Sequence, residues 1–501
     1  MKIKELIKDI RFVKPQEILN YEITGPVFYD SRKVIPGGIF VAIHGNKADG
    51  NAFVQEAIQR GAVIIVTEKK DLVLPSGVGL IVVENSRKAL AEIAATYYAN
   101  PSKNLKLVGV TGTKGKTSTA VILKKIFEAS GCSTGLIGTI QYEIGRRIVP
   151  SINTTPESID IQALLDDMVK AGLTHAVMEV SSHALDQGRI EGINFDAGIF
   201  TNIAKHEHLD YHKSFINYLN TKLKFFSHYL PKSEKNSKLA VINIDDRYAR
   251  MFIDTAKKNN LNVITYGISK KAECYAENFS FDRTGTSFTV KGKKFSTRLL
   301  GFGNLYNCLA SIATAYGFGI DLEVIASALM NITNIPGRME FIDVGQPFTI
   351  VVDYAHTHNA LEDLLKTVRH LKPKRILIVF GCGGDRDRSK RPIMGKIASR
   401  LADKLYISSD NPRNEDPHQI ISDIYKGIPF WLKKKCEIIP DRYYAIKKAL
   451  CDARENDWVV IAGKGHEQYQ IIKNVFYPFD DRKVVFELLK KGDNPDGTNR
   501  P

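Results

Sequence analysis

Residues 108–119 read V-G-V-T-G-T-K-G-K-T-S-T. An apolar run at 105–110 has the composition of a strand, a Gly-rich turn follows it, and 120–127 has the composition of a helix. That order builds a phosphate cradle. Glycines let successive backbone N–H groups converge on one anion, and the helix N-terminus adds partial positive charge. In such a cradle Lys116 reaches the β- and γ-phosphates and the Thr117 hydroxyl holds Mg²⁺. The usual eight-residue pattern places glycine at position 110, where this chain has Val110, so Gly112 and Gly115 must supply the backbone freedom. A plain turn between strand and helix is the alternative, and G-K-T-S at the helix start favours the cradle.

Other polar clusters sit where strands are expected to end. M-E-V-S-S-H at 178–183 puts Glu179 near a strand terminus with Ser181, Ser182 and His183 beyond it. A carboxylate there can ligate magnesium directly or through water, and the serines can equally be helix caps. H-E-H-L-D-Y-H at 206–212 invites a zinc reading, but no H-E-x-x-H pattern is present. Lys222, in the helical stretch that follows, reads as a surface lysine on an amphipathic helix. Asn304 and Asn307 in G-F-G-N-L-Y-N can cap a helix or reach an adenine base, and Arg338 in P-G-R-M-E can contact phosphate. In the last third, Arg386 and Arg413 can each grip a carboxylate bidentately and Glu467 can take an ammonium, with ion pairs inside the loops as the competing reading. Near the N-terminus, Y-D-S-R at 29–32 and H-G-N-K-A-D-G at 44–50 allow Ser31 and the backbone at Asn46 and Lys47 to hold a diphosphate or a nucleobase. Ordinary turn chemistry explains those two segments as simply.

The elements that must position these residues follow from alternating apolar runs and helical patterns. Short runs at 27–29, 39–43, 63–67 and 80–83, with helices at 53–60 and 88–98, make a small α/β unit, and 100–103 reads as a linker. Runs at 176–180, 197–201, 240–244 and 263–266 imply a second, mostly parallel sheet. Four more strands, beginning near 351, 376, 405 and 459, each end in a charged or Gly-rich loop, the layout of a doubly wound domain with a ligand crevice. A chain of 501 residues accommodates two to four domains. No apolar run reaches the length of a membrane span, and the charged, alternating N-terminus does not read as a signal peptide. Six scattered cysteines without a C-x-x-C pair suggest reduced thiols in a cytosolic setting. The net charge of +15 fits polyanionic small substrates better than nucleic acid. The lysine clusters at 232–238 and 433–435 lack regularly interleaved aromatics and read as solvated faces.

Nine motifs in order carry a resemblance: T-G-T-K-G-K-T-S, N-T-T-P, M-E-V-S-S-H, H-L-D-Y-H followed by Lys222, N-L-Y-N, P-G-R-M-E, V-D-Y-A-H, D-N-P-R and G-K-G-H-E. Together they resemble the Mur ligases, ATP-dependent amide-forming enzymes of peptidoglycan precursor synthesis. The D-N-P-R loop resembles that of members adding meso-diaminopimelate, as opposed to lysine, to UDP-N-acetylmuramoyl-L-Ala-D-Glu. The resemblance implies an α/β fold in three domains: a UDP-binding domain at 1–102, a central P-loop ATPase with a mostly parallel sheet at 103–335, and a Rossmann-like, doubly wound, amino-acid-binding domain at 336–501. It implies ATP contacts from Gly112, Thr113, Lys114, Gly115, Lys116, Thr117, Ser118, Asn304, Arg338 and Asp353, with His356 beside them. Catalytic roles fall on Lys116, Glu179, His208 and Lys222. Thr117, Glu179, His208 and Lys222 would hold magnesium, Lys222 as its N6-carboxy (carbamylated) form. Ser31, Asn46, Lys47, Asn153, Thr154, Thr155, Ser182, Gln187 and Arg189 would bind the UDP-muramoyl-dipeptide, with the match loosest at 44–50. Arg386, Asp410, Asn411, Pro412, Arg413, Gly463 and Glu467 would bind diaminopimelate. A cytoplasmic monomer without nucleic-acid partners is expected. A lysine-adding sister enzyme, a folylpolyglutamate synthetase and a non-enzymatic nucleotide-binding module are the competing readings.

Overall fold

A computed structural model of the chain describes residues 2–7, 12–14, 22, 24–45, 48–205, 207–282 and 284–490. Its contacts divide the chain into two compact units, 1–276 with 306–328, and 277–305 with 329–501.

The first unit contains two sheets. Five strands pair in the order Phe12–Lys14, Gly79–Val83, Ala62–Thr67, Gly38–Val41 and Val27–Phe28, parallel except at the first pairing. Ile39, Val41, Ile64, Val66, Ile81 and Val83 are buried from this sheet against Leu90 and Ile93 of the helix Ser86–Tyr97. A nine-stranded sheet follows, with strand Lys106–Thr111 at its centre between His175–Glu179 and Ala197–Phe200. Seven of its strands are parallel, and the hairpin Gln141–Ile144 and Arg147–Pro150 closes one edge antiparallel. The middles of the central strands are apolar and buried, as strands covered by helices on both faces must be. The apolar runs read from sequence therefore coincide with the observed strands to within a residue or two. The segment at 100–103 differs from its reading as a linker. It forms the 3₁₀ turn Pro101–Asn104, Pro101 and Ser102 are buried, and the Asn194 N–H donates to Ser102 Oγ at 3.0 Å.

The second unit is built on six strands in the order Glu340–Ile342, Thr349–Asp353, Trp458–Ala462, Ile376–Phe380, Lys404–Ile407 and Cys436–Ile438, parallel but for the first. Strand Trp458–Ala462 inserts between two strands that precede it in the chain, so the sheet is wound in both directions from its middle. The carboxyl ends beside that reversal are where ligands bind in such folds. A three-stranded antiparallel sheet, Glu277–Asp282, Gly285–Val290 and Lys293–Thr297, and the hairpin Tyr469–Ile472 and Val475–Pro478 complete it. The three α/β sheets match the three-domain α/β architecture expected from sequence. Among the described residues no helix is long and apolar enough to cross a membrane.

Candidate functional site

In the first unit the turn after strand Lys106–Thr111 leads into the helix Lys116–Ala129, whose cap residue Gly115 sits at φ +85°. A Cβ at Gly115 would strike Asn307 Oδ1, so only glycine allows this approach. The turn is pinned to the end of the neighbouring strand. Thr113 N donates to Asn202 O at 2.8 Å and Lys114 N to Asn202 Oδ1 at 3.0 Å, while Thr201 Oγ1 donates to Lys114 O at 2.7 Å. Lys116 Nζ lies 2.9 Å from Gly112 O and 3.0 Å from Thr113 O. Asn202 escaped the sequence reading because its role is to hold backbone, a task that leaves no motif.

Glu179 ends strand His175–Glu179 and is buried. Its Oε2 accepts from Thr117 Oγ1 at 2.9 Å and Thr139 Oγ1 at 3.0 Å, and its Oε1 accepts from Thr139 N at 2.7 Å. The capping role belongs to Ser181, whose Oγ accepts from Ala184 N. The two readings of M-E-V-S-S-H thus fall on different residues. Thr139, unmarked in the sequence, also meets Thr154 Oγ1 at 3.0 Å. Thr155 Oγ1 bridges Glu179 O and Ser181 N, and Thr155 O accepts from Arg189. Arg189 also bonds Gln187 and pairs with Glu157 at 3.2 Å, and Asn153 O accepts from Tyr142. Thr154, Thr155, Gln187 and Arg189 therefore form a hydrogen-bonded wall around Glu179, and Asn153 precedes Thr154 with its carbonyl held separately by Tyr142. Ser182, next to Ser181 in the chain, places its Oγ 3.0 Å from His212 Nε2.

Lys222 departs from its reading as a surface lysine. It is 1% exposed, because the helix Phe215–Lys224 turns its inner face onto the phosphate turn. Its Nζ donates to Gly112 O at 2.8 Å and stands 4.8 Å from the centre of the Tyr218 ring. Burial, reinforced by the neighbouring Lys116 cation, holds its ammonium well below the usual lysine range. His208 lies beside His183 and Tyr218, with its backbone at φ +57°. Burial, with the Lys116 cation nearby, pulls its imidazole down to about 3, so it is neutral near pH 7. Among the described residues no cluster of three or more acidic, histidine or cysteine side chains is ready to cage a metal. The donors that converge are the Thr117 hydroxyl and the Glu179 carboxylate. That oxygen pair suits magnesium, which keeps water and phosphate in the remainder of its shell. Ser31 is buried and donates to Glu56 at 2.7 Å; Asn46 and Lys47 lie outside the described residues.

In the second unit the polar residues gather at the carboxyl ends of the sheet. Asp353 accepts from Met339 N at 2.6 Å and Ala355 N at 2.8 Å, and burial raises its pKa despite Arg338. Arg338 stacks 4.7 Å above the Tyr354 ring. Asn304 Nδ2 donates to Leu300 O at 3.0 Å. His356 and His466 flank Tyr354, and burial, chiefly, lowers them to about 4 and about 3. Lys464, absent from the sequence reading, is the hub of the D-N-P-R and G-K-G-H-E loops. It is 0% exposed, and its Nζ meets Asn411 Oδ1 and Glu467 Oε2 at 3.1 Å each and Tyr469 O at 2.6 Å. Asn411 Nδ2 donates to Glu467 Oε2 at 2.8 Å. A Cβ at Gly463 would lie 2.6 Å from Asp410 Oδ2, which brings that pair into contact. Pro412 is buried in the same loop. Arg413 sits at φ +52°, held by its N–H to Ile471 O and its carbonyl to Lys473 N, with Nη1 on Gly384 O at 2.9 Å. Strained backbone at a side chain of this kind is common where a ligand is gripped. Arg386 is exposed and donates to Asp385 O. Asp410, Asn411, Pro412, Arg413, Gly463 and Glu467 are thus brought together, and Arg386 stands at their edge.

Three family comparisons match successive segments: residues 25–98 the Mur ligase family catalytic domain, 110–315 the Mur ligase middle domain, and 337–465 the Mur ligase glutamate ligase domain. The chain is 42% identical to UDP-N-acetylmuramoyl-L-alanyl-D-glutamate--2,6-diaminopimelate ligase of Syntrophomonas wolfei subsp. wolfei, over 98% of this chain and 99% of that one. It is 43% identical to the enzyme of that name numbered 1 in Clostridium acetobutylicum, over 98% and 100%. A solved structure of a UDP-N-acetylmuramoyl-L-alanyl-D-glutamate--2,6-diaminopimelate ligase is 31% identical and superposes with a TM-score of 0.70, covering 99% of each chain.

Proposed function

The chain belongs to the Mur ligase family, and we propose that it joins meso-diaminopimelate to the D-glutamate side-chain carboxylate of UDP-N-acetylmuramoyl-L-Ala-D-Glu, with ATP as co-substrate, in peptidoglycan precursor synthesis. One observation carries the reading of the chemistry. The phosphate turn, the Thr117–Glu179 pair and the buried Lys222 amine converge within one unit.

The reaction balances in two steps. A carboxylate oxygen of D-glutamate attacks the γ-phosphorus of ATP and ADP leaves, giving an acyl phosphate. The amine of diaminopimelate then attacks the acyl carbon, phosphate leaves, and the nitrogen loses a proton. The first step brings two anions together, so its barrier is electrostatic. Lys116 and the N-terminus of the helix Lys116–Ala129 offset γ-phosphate charge, and neutral His208 stands beside them. The Glu179 wall, with Asn153 and Ser182, orients the muramoyl dipeptide, and Ser31, Asn46 and Lys47 take its uridine end. Asn304, Arg338 and Asp353 serve the nucleotide. Arg386, Asp410, Asn411, Pro412, Arg413, Gly463 and Glu467 receive diaminopimelate, with Arg413 on the distal carboxylate that lysine lacks.

Thr117 and Glu179 would hold one magnesium ion, and His208 with carbamylated Lys222 a second. Bound there, magnesium supplies countercharge to the phosphates. Carbamylation requires an uncharged amine, and the depressed Lys222 supports it. This reading also takes the protein as a cytoplasmic monomer with domain boundaries after residues 102 and 335. The test is phosphate release with the muramoyl dipeptide, offering diaminopimelate and lysine side by side. Diaminopimelate-dependent release is expected, whereas release without any amine dependence, or a preference for lysine, overturns the reading.

A further inference from the structure

One surface feature has no part in the ligase chemistry. The 3₁₀ turn Phe430–Lys435, sequence F-W-L-K-K-K, follows the helix Pro417–Lys426 in the second unit. Leu432 packs on the core of that unit and fixes the turn. Its two predecessors point the other way: Phe430 is 84% exposed and Trp431 70%. The chain's other tryptophan, Trp458, is 1% exposed. Two adjacent large aromatic side chains held out into water carry a standing hydration cost that a partner can remove.

The charges around the turn indicate which partner. Lys434 is exposed, and Lys433 lies with its ammonium 4.4 Å over the Tyr425 ring. Lys435 caps the end of the helix Lys390–Leu401 through Ser399 O and Ala402 O. That helix, against which the turn packs, carries exposed Lys396 and Arg400, and Lys426 is exposed at the end of the preceding one. The nearby acids are engaged within the unit: Asp423 with Arg391 and, at 3.8 Å, with Lys426, Asp403 with Arg369, and Glu437 with Lys404. Aromatic tips beside a cluster of exposed cationic heads match a surface that is apolar below and anionic above, with rings at headgroup depth and ammoniums among phosphates. We infer that the Phe430–Lys435 turn docks this protein reversibly on a bilayer surface bearing anionic headgroups.

A single turn of this size gives weak, salt-sensitive attachment, unlike a span or a lipid anchor. The test uses the full chain with phosphatidylglycerol–phosphatidylcholine vesicles and with pure phosphatidylcholine vesicles. The wild type is expected to sediment with the anionic vesicles and to release as salt is raised. Its tryptophan emission should shift to the blue, a signal that belongs to Trp431 because Trp458 is already buried. The double variant Phe430→Ser/Trp431→Ser should lose at least about tenfold of the bound fraction. Its ligase turnover in lipid-free solution should be unchanged, which shows that it folds. Lys433→Gln/Lys434→Gln should erase the preference for anionic over neutral vesicles. No sedimentation of the wild type, equal binding by the aromatic variant, or a preference unaffected by the lysine changes overturns the inference. So does a blue shift that grows with protein concentration without lipid, since a second copy would then be the occupant.

Discussion

Lys222 and Lys464 are both withdrawn from water, at 1% and 0% exposure, yet their surroundings are opposite. Lys464 is held by a carboxylate, an amide oxygen and a carbonyl, a set that compensates one positive charge. Lys222 has one backbone carbonyl, an aromatic face and the repulsion of Lys116, and among the described residues no carboxylate within ion-pair distance. Burying an ammonium without an anion costs several kcal/mol, and a protein avoids that cost by leaving the amine neutral. The difference separates two kinds of site. Around Lys464 the proposed recognition frame is already assembled, so a ligand would meet fixed groups. Around Lys222 the described residues bring no anion, and the proposed carbamate, with the phosphates, would supply one.

The largest effect expected from this contrast is on turnover. Lys222→Ala should cut phosphate release by about a hundredfold or more, and short carboxylic acids should restore part of it by replacing the lost anion. A Lys222→Ala enzyme that is fully active and normally magnesium-responsive breaks the comparison on this side. Lys464→Met should destabilise the protein by about 3 kcal/mol, because Glu467 and Asn411 lose their shared partner. It should also raise KM for diaminopimelate while leaving KM for ATP unchanged. By contrast Lys222→Met should leave stability unchanged or raise it, since it removes an uncompensated buried amine. Equal stability losses in the two methionine variants, seen in urea titrations, would dissolve the distinction. Arg413→Ala should raise KM for diaminopimelate about tenfold to a hundredfold, the value of a charge-assisted contact of about 1.5–3 kcal/mol. An unchanged KM for diaminopimelate removes Arg413 from the recognition frame.

The smallest expected effect is on stability against pH in the second unit. His466 and His356 are lowered from 6.5 to about 3 and about 4 by burial. Between those values and 6.5 the unfolded chain binds protons that the folded chain does not, so stability rises with pH across the window and is lost as pH falls through it. His466→Gln should flatten the slope of the unfolding free energy between pH 6.5 and 5 by at most about 2 kcal/mol in total. An unaltered slope would assign the pH dependence to other groups.

The phosphate turn was legible from sequence because strand, glycines, lysine and helix are contiguous, and every part of the argument is local. The same holds for the parallel strands, whose apolar runs survive burial on both faces. Lys222 was not legible as a buried group: its partner carbonyl belongs to Gly112, 110 residues earlier, and nothing in an amphipathic helix announces which face meets a distant turn. Lys464 was missed for a related reason. A lysine is ordinarily solvated, and only the approach of the 410–413 loop to the 463–467 loop encloses it. Glu179 was legible as one of two alternatives, whereas Thr139, which belongs to no motif, became visible only as its backbone N–H met the carboxylate.

The 3₁₀ turn at Pro101–Asn104 has a bearing on substrate choice. With Ser102 fastened to Asn194, Arg87 to Glu157 at 3.0 Å, Tyr29 to Asp160 at 2.9 Å, and Ile159 seated in the core of the first sheet, the two sheets of the first unit are braced together. On the proposed function, the uridine contact at Ser31 and the carboxylate contact near Glu179 then stand a fixed span apart. On that reading the braced pair would act as a gauge, passing over precursors whose peptide is one residue too short or too long.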